Sequence, residues 1–314
     1  MKNPSSKKKD NLVTEGTMNL EIEETRLNTE SNYTSSKKTK KPHVRGQTYK
    51  QIKLLGEGSY GKAYLVTCSS DNSLAVIKTM SLDAMTEEAK NEVIKEAKIL
   101  EKLDHCNIVK FIEVFRSNKP FPSLNIVMEY ADGGDLNKAI KEQQKVKKFF
   151  SEEKILNWFC QICLAVKHIH EKKILHRDLK SGNIFLTSQG QVKIGDFGIA
   201  KSLSSTLEKA KTVIGTPYYL SPEIIMNKPY SFKSDVWSLG VLLYEMSVLK
   251  MPFDAKSMPM LTLKILKCEY MKPSASSFSK DLIDLISSLL IVDVKKRPTV
   301  EQVLGKSHIF LKYK

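Results

Sequence analysis

His176-Arg177-Asp178-Leu179-Lys180-Ser181-Gly182-Asn183 and, after an apolar interval, Asp196-Phe197-Gly198 are two polar clusters at the ends of one short stretch. Between them Ile184-Phe185-Leu186 and Val192-Lys193-Ile194 have β-type composition and are joined by the turn residues Ser188 to Gly190. The pattern predicts a hairpin with a chemical residue set at each end. A hairpin brings its ends together. Asp178, Asn183 and Asp196 therefore converge at one rim, and three hard oxygen donors suit Mg²⁺ beside phosphates.

Upstream, Tyr49 to Leu55 alternates apolar and polar residues, Gly56-Glu57-Gly58-Ser59-Tyr60-Gly61-Lys62-Ala63 follows, and Tyr64 to Cys68 reads as a second strand. Strand, glycine loop, strand is the wrong context for a dinucleotide fold, where a helix follows the glycines. It suits a loop laid over nucleotide phosphates, where glycine lets the backbone approach the oxygens. Leu74 to Thr79 is a third strand and carries Lys78. The next segment, about Thr86 to Leu103, predicts a helix with the inward stripe Ala89, Val93, Glu96, Leu100, Leu103. A carboxylate in an apolar face wants a cation. Lys78 is the candidate partner of Glu96.

Asn125 to Tyr130 is a strand that leads through Ala131-Asp132-Gly133-Gly134-Asp135 into a helix, as a hinge between two lobes requires. Ser151 before Glu152 and Glu153 starts another helix, with the buried stripe Ile155, Phe159, Ile162, Val166, Ile169. After Gly198 the chain lacks periodicity as far as Glu223, and a loop that long is usually functional; it holds Ser204, Ser205, Thr206, Thr212 and Thr216. Ser234 to Val241 opens an apolar helix, and Asp281 to Val294 predicts a further one ending near Arg297-Pro298.

Composition narrows the class. With 314 residues, 41% of them hydrophobic, the chain has room for a bilobal unit with a sizeable core. Fifty basic against 35 acidic side chains leave a net charge of +15. Residues 1–48 hold ten basic and six acidic side chains, so eleven of those charges belong to the remainder. No folded stretch interleaves Lys and Arg with aromatics, so a specific nucleic-acid site is not expected. Residues 1–48 are polar and without periodicity, which predicts a disordered basic extension; Lys37, Lys38, Lys40, Lys41 and Arg45 form a solvated linker or a polyanion-binding patch. Five scattered cysteines without a secretory N-terminus point to a reducing intracellular compartment. Cys160 and Cys163 have metal-type spacing but sit in a helical pattern without a second ligand pair, which predicts buried thiols. No apolar run is long enough to insert in a membrane.

From Tyr49 to about Phe310 the chain resembles a eukaryotic protein kinase, and more narrowly the NIMA-related (NEK) serine/threonine kinases. The narrower resemblance rests on Glu152 to Leu164, Lys173 to Leu186, Lys193 to Lys201 and Ile214 to Ile224, where Ser221 stands for the commoner alanine before Pro222-Glu223. It implies an α+β bilobal fold: a small antiparallel sheet with one main helix over about 49–130, then a larger, mostly helical lobe over about 131–310 and a short tail, 311–314. It implies ATP and Mg²⁺ as cofactors, with Mn²⁺ as a substitute, and protein substrates bearing Ser or Thr acceptors. ATP would lie against Leu55 to Ala63, where Ala63 replaces the usual Val, and against Lys78. Met128 would be the gatekeeper, and the backbone of Glu129 and Ala131 would meet the adenine edge. Asp178 and Lys180 would serve catalysis with Lys78 and Glu96; Asn183 and Asp196 would hold the metal. Arg177 would read a phosphate on Thr212, Thr216 would bond near Asp178 and Lys180, and Glu223 with Arg297 would form a structural ion pair. Activation-loop phosphorylation is the expected regulation. Relatives often carry a long tail with coiled coils; none is read here, which predicts a monomer or weak oligomer. A cytoplasmic location is expected, with nucleus, centrosome, basal body or cilium as alternatives the resemblance allows. A non-catalytic scaffold of the same fold predicts loss of Lys78, Asp178, Asn183 or Asp196, and all four are present; a serine/threonine kinase of another group is the remaining alternative.

Overall fold

A computed structural model describes residues 19–20, 48–58, 61–83, 86–87, 90–91, 94, 97, 100–118, 121–196 and 217–310. The N-terminal sheet contains β1 (Asn19–Leu20), β2 (Tyr49–Gly58), β3 (Gly61–Cys68), β4 (Leu74–Ser81), β5 (Phe111–Ser117) and β6 (Ser123–Glu129). Its order is β1-β2-β3-β4-β6-β5, and every neighbouring pair is antiparallel. β1 lies within the segment expected to be disordered: Asn19 and Leu20 pair with Lys50 and Tyr49, giving backbone partners to what is otherwise an open sheet edge.

Alternation along β4 fixes the two faces of the sheet. Ala75 and Ile77 are buried on one side with Tyr49, Val66 and Val127. Met80 turns to the other side, with Leu124, Ile126, Ile94 and Ala97. Lys78 shares the Met80 face, opposite Ala63 of β3 and Ile126 of β6. Helical backbone is present at the described positions 87, 90, 91, 94 and 97, and ends in a 3-10 turn at Leu100–Lys102. Its buried described residues are Ile94 and Ala97; Ala89, Val93 and Glu96 of the expected stripe lie outside the described residues.

The C-terminal lobe has one large core. Its helices are α1 (Leu136–Val146), α2 (Glu152–Glu171), α3 (Pro222–Ile225), α4 (Phe232–Val248), α5 (Met258–Lys267), α6 (Lys280–Leu289), α7 (Val300–Leu304) and α8 (Ser307–Phe310). Ser151 caps α2 by accepting the Lys154 N–H, and Ile155, Phe159, Ile162, Val166 and Ile169 are all fully buried. Cys160 and Cys163 are both fully buried in the same core. Gly133 ties the hinge down: its N–H donates to Leu186 O at 2.8 Å, and a Cβ there would meet the carbonyls of Leu186 and Thr187 at 2.8 Å.

Three further expectations differ from the fold. The strand Phe111–Ser117 was not anticipated, because Glu113 and Arg116 blur its alternation. The helix at Ser234 starts earlier, at Phe232. The helix expected to reach Val294 stops at Leu289, since the Ile291 and Val292 carbonyls turn aside to accept the Arg297 guanidinium at 2.9 and 3.5 Å.

Candidate active site

The predicted hairpin is present as β7 (Ile184–Leu186) and β8 (Val192–Ile194), registered Ile184 to Ile194 and Leu186 to Val192. Its rim brings the polar clusters together. Asn183 Nδ2 donates to Asp178 O at 2.8 Å, to Asp178 Oδ2 at 3.0 Å and to Asp196 O at 3.4 Å. Lys180 Nζ donates to Asp178 Oδ2 at 3.0 Å. From the other lobe Lys78 Nζ reaches Asp196 Oδ1 at 2.7 Å, so one chain of contacts joins both lobes through this rim.

The backbone at the rim is strained, and buried groups hold it. Arg177 and Asp196 adopt φ of 66° and 52°, left-handed values that side-chain-bearing residues rarely take and that cost on the order of 1–3 kcal/mol each. Asp235 of α4, fully buried, accepts the His176 and Arg177 N–H groups, each at 3.1 Å. It also meets His170 Nε2 at 2.8 Å and the Tyr230 hydroxyl at 2.5 Å. Burial pushes its carboxyl upward, but these donors and nearby His176 outweigh burial and hold it below the usual range. His176 donates from Nε2 to Gly195 O at 3.2 Å and accepts the Asp178 N–H at Nδ1, which is the neutral tautomer; burial lowers its pKa. Next to Lys180, Ser181 Oγ donates to Glu245 Oε1 at 3.1 Å and its N–H donates to the Tyr219 hydroxyl at 3.1 Å, while Tyr219 OH donates to Glu245. Burial raises the Glu245 pKa.

The side expected to take a nucleotide is a cleft between the lobes. Lys78, Leu103, Ile108, Met128, Gly195 and Asp196 line a cavity there. Met128, Glu129 and buried Ala131 run along the hinge. Gly56 to Gly58 closes β2, and Gly61 (φ 134°) opens β3 so close to β4 that a Cβ would meet Thr79 O at 2.0 Å. Leu55 is exposed beside this loop, Lys62 pairs with Glu57 at 3.5 Å, and Ser59 and Tyr60 lie outside the described residues.

A family model for the protein kinase domain matches residues 49–309. The chain belongs to the protein kinase family. Serine/threonine-protein kinase Nek5 of Homo sapiens is 49% identical over 259 residues, covering 82% of this chain and 36% of that protein. Serine/threonine-protein kinase Nek1 of Mus musculus is 48% identical over 263 residues, 84% of this chain and 21% of that protein. Probable serine/threonine-protein kinase nek3 of Dictyostelium discoideum is 48% identical over 260 residues, 82% of this chain and 23% of that protein. The chain thus spans well under half the length of these relatives, and its group within the family is the NIMA-related serine/threonine kinases.

In this kinase domain the residues expected at the phosphate, metal and acceptor positions form one chain of contacts, Lys78 to Asp196, Asp196 to Asn183, Asn183 to Asp178 and Asp178 to Lys180. Glu223 and Arg297 form a buried two-point ion pair at 2.8 and 3.0 Å, with the guanidinium 5.1 Å from the Trp237 ring centre. Glu96, Thr212 and Thr216 lie outside the described residues. Asp235, Tyr219 and Glu245 were not anticipated as site residues. A carboxylate inside the apolar α4 was the available signal for Asp235 and Glu245, since a buried acid needs donors.

Mg²⁺ and a nucleotide fit this donor set. Asn183 spends Nδ2 on the protein and keeps Oδ1, and Asp196 supplies a carboxylate; among the described residues no group of three or more His, Cys, Asp or Glu could hold a metal by itself. One or two protein oxygens completed by phosphates and water is the usual Mg²⁺ arrangement.

Proposed function

We propose that the chain is an active serine/threonine protein kinase, moving the γ-phosphoryl group of ATP to Ser or Thr hydroxyls of protein substrates. The observation that carries this is the continuous set of contacts Lys78–Asp196–Asn183–Asp178–Lys180 at the lobe junction. Lys78 orients the α and β phosphates. Asp178 accepts the acceptor hydroxyl's proton as its oxygen bonds to phosphorus and the bond to ADP breaks, and Lys180 offsets charge on the group in transit. Asn183 and Asp196 would hold Mg²⁺, which would neutralise charge at the phosphates. The backbone of Glu129 and Ala131 binds the adenine edge, and Met128 bounds the pocket behind it.

Arg177 is proposed to pair with a phosphate on Thr212, making the enzyme dependent on phosphorylation there. Five scattered cysteines support a reducing intracellular location, proposed as cytoplasmic. No helix among the described residues is long and apolar enough to cross a membrane. Incubating the protein with ATP, Mg²⁺ and a peptide library, followed by phosphosite mapping, tests the reading. Labelled Ser or Thr is expected; no transfer under any divalent cation contradicts it.

A further inference from the structure

One ion pair near the cleft has no part in the chemistry above. Glu129 is the last residue of β6, where the N-terminal sheet enters the hinge, and Lys193 is the middle residue of β8, three positions before Asp196. Lys193 Nζ lies 2.8 Å from Glu129 Oε1 and 2.9 Å from Oε2. Oε2 also accepts the Lys110 N–H at 3.1 Å, and Lys110 O accepts the Glu129 N–H at 2.9 Å. The Lys193 side chain is only 13% exposed and that of Glu129 33%, so solvent and salt screen the pair less than a surface contact.

Its placement is what matters. Met128 lines the cavity, so strand alternation turns the next residue, Glu129, to the opposite face. Val192 and Ile194 are fully buried, and Lys193 between them turns out of that core toward Glu129. Chain 107–110 is stitched to the C-terminal lobe: Val109 N–H donates to Ile194 O and Ile194 N–H to Asn107 O, both at 2.8 Å, while Asn107 Nδ2 donates to Val192 O at 2.9 Å and Gln161 Oε1 at 2.8 Å. The Glu129 carboxylate closes this stitched segment and β8 onto the hinge.

We propose that Glu129 and Lys193 are a positioning clamp between the lobes, an ion pair at the rear of the cleft that fixes β8, and through it Asp196, against the hinge backbone that binds adenine. The clamp rests on the reading of the cleft as an ATP site. It acts because the attraction is realised only at one spacing of the two lobes, and a triphosphate nucleotide spans that spacing from adenine edge to metal.

The test uses the full chain carrying Lys193→Gln, Glu129→Gln, both together, and Lys193→Arg. Mg²⁺-ATP affinity is measured by calorimetric titration, KM for ATP and for a fixed peptide by steady-state kinetics, and unfolding midpoints by denaturant. Each single Gln variant is expected to raise Kd and KM for ATP roughly three- to tenfold while leaving the peptide KM unchanged; the double variant is expected to be no worse than the weaker single, because one shared contact is lost. Lys193→Arg keeps the charge and restores ATP affinity; it also serves if a Gln variant fails to fold. Unchanged ATP affinity in the single variants, additive losses in the double, or a fall in midpoint without change in nucleotide binding overturns the clamp. Wild-type protein that binds no Mg²⁺-ATP overturns the ATP-site reading first, and the clamp with it.

Discussion

The rim of the β7–β8 hairpin shows how much single residues announce. The meeting of Asp178, Asn183 and Asp196 was legible because a short hairpin brings its two polar ends together; from the strand pattern Lys78 was singled out only as a partner for Glu96, which lies outside the described residues, and its contact with Asp196 was not read. Lys193 was not legible, since a lysine in a three-residue strand reads as an ordinary solvent-facing side chain; only the approach of the two sheets, which sets Lys193 Nζ 2.8 Å from Glu129 Oε1, gives it a partner. Lys78→Met should lower kcat by at least about 10²-fold, the size of effect seen when a group aimed at developing charge is removed. The folded state should persist, because the Lys78 side chain and its partner Asp196 are both partly exposed and Met keeps an apolar stem of similar length. Steady-state kinetics beside a far-ultraviolet dichroism spectrum checks both halves. Retention of wild-type kcat removes Lys78 from the mechanism.

Helix α4 shows what pattern reading leaves out at the level of elements. Its apolar run was readable as a core helix, but not that Asp235 and Glu245 within it hold the catalytic loop from beneath, because the donors come from segments 59 and 64 residues away. The limits of α6 were missed for a related reason: Arg297 draws the carbonyls after Leu289 out of helical register, a contact invisible to local periodicity. Arg297→Leu leaves the buried Glu223 carboxylate without its cation and should cost about 3–5 kcal/mol of stability, measured by urea unfolding. A loss below about 1 kcal/mol would show that the pair is not integral to this lobe. Asp235 sets a pH dependence. Its folded-state pKa is depressed, so its contribution is present above the unfolded carboxylate range, near 4, and is lost as pH falls through the lower folded value. Buried Glu223, also depressed, adds with the same sign. Stability of the wild type should therefore fall steeply below about pH 4, and that of Asp235→Asn less steeply; equal slopes in denaturant midpoints over that range would contradict the assignment.

In the proposed reading the two lobes divide the work, with the nucleotide held from above and the acceptor chemistry from below. The bilobal α+β architecture was readable because the glycine loop, strand lysine, hinge and catalytic stretch occur in one order with workable spacing. The lobe-spanning ion pair and the two-residue strand β1 were not, since both depend on pairings between segments remote in sequence. The reading proposed for this site makes the divalent cation a reagent of the reaction rather than a support of the fold. Chelation should abolish transfer while leaving the unfolding midpoint unchanged, with Mg²⁺ or Mn²⁺ restoring activity; a fall in midpoint would reveal a structural metal. Asp178→Asn is the most direct trial of the central claim, because it keeps the side-chain shape and removes the carboxylate charge that would take the proton and that pairs with Lys180. Mg²⁺-ATP binding and phosphoryl transfer to a Ser/Thr peptide are measured on the same preparation. Binding within about twofold of wild type, with transfer reduced at least about 10²-fold, is the predicted result; transfer at the wild-type rate would contradict it.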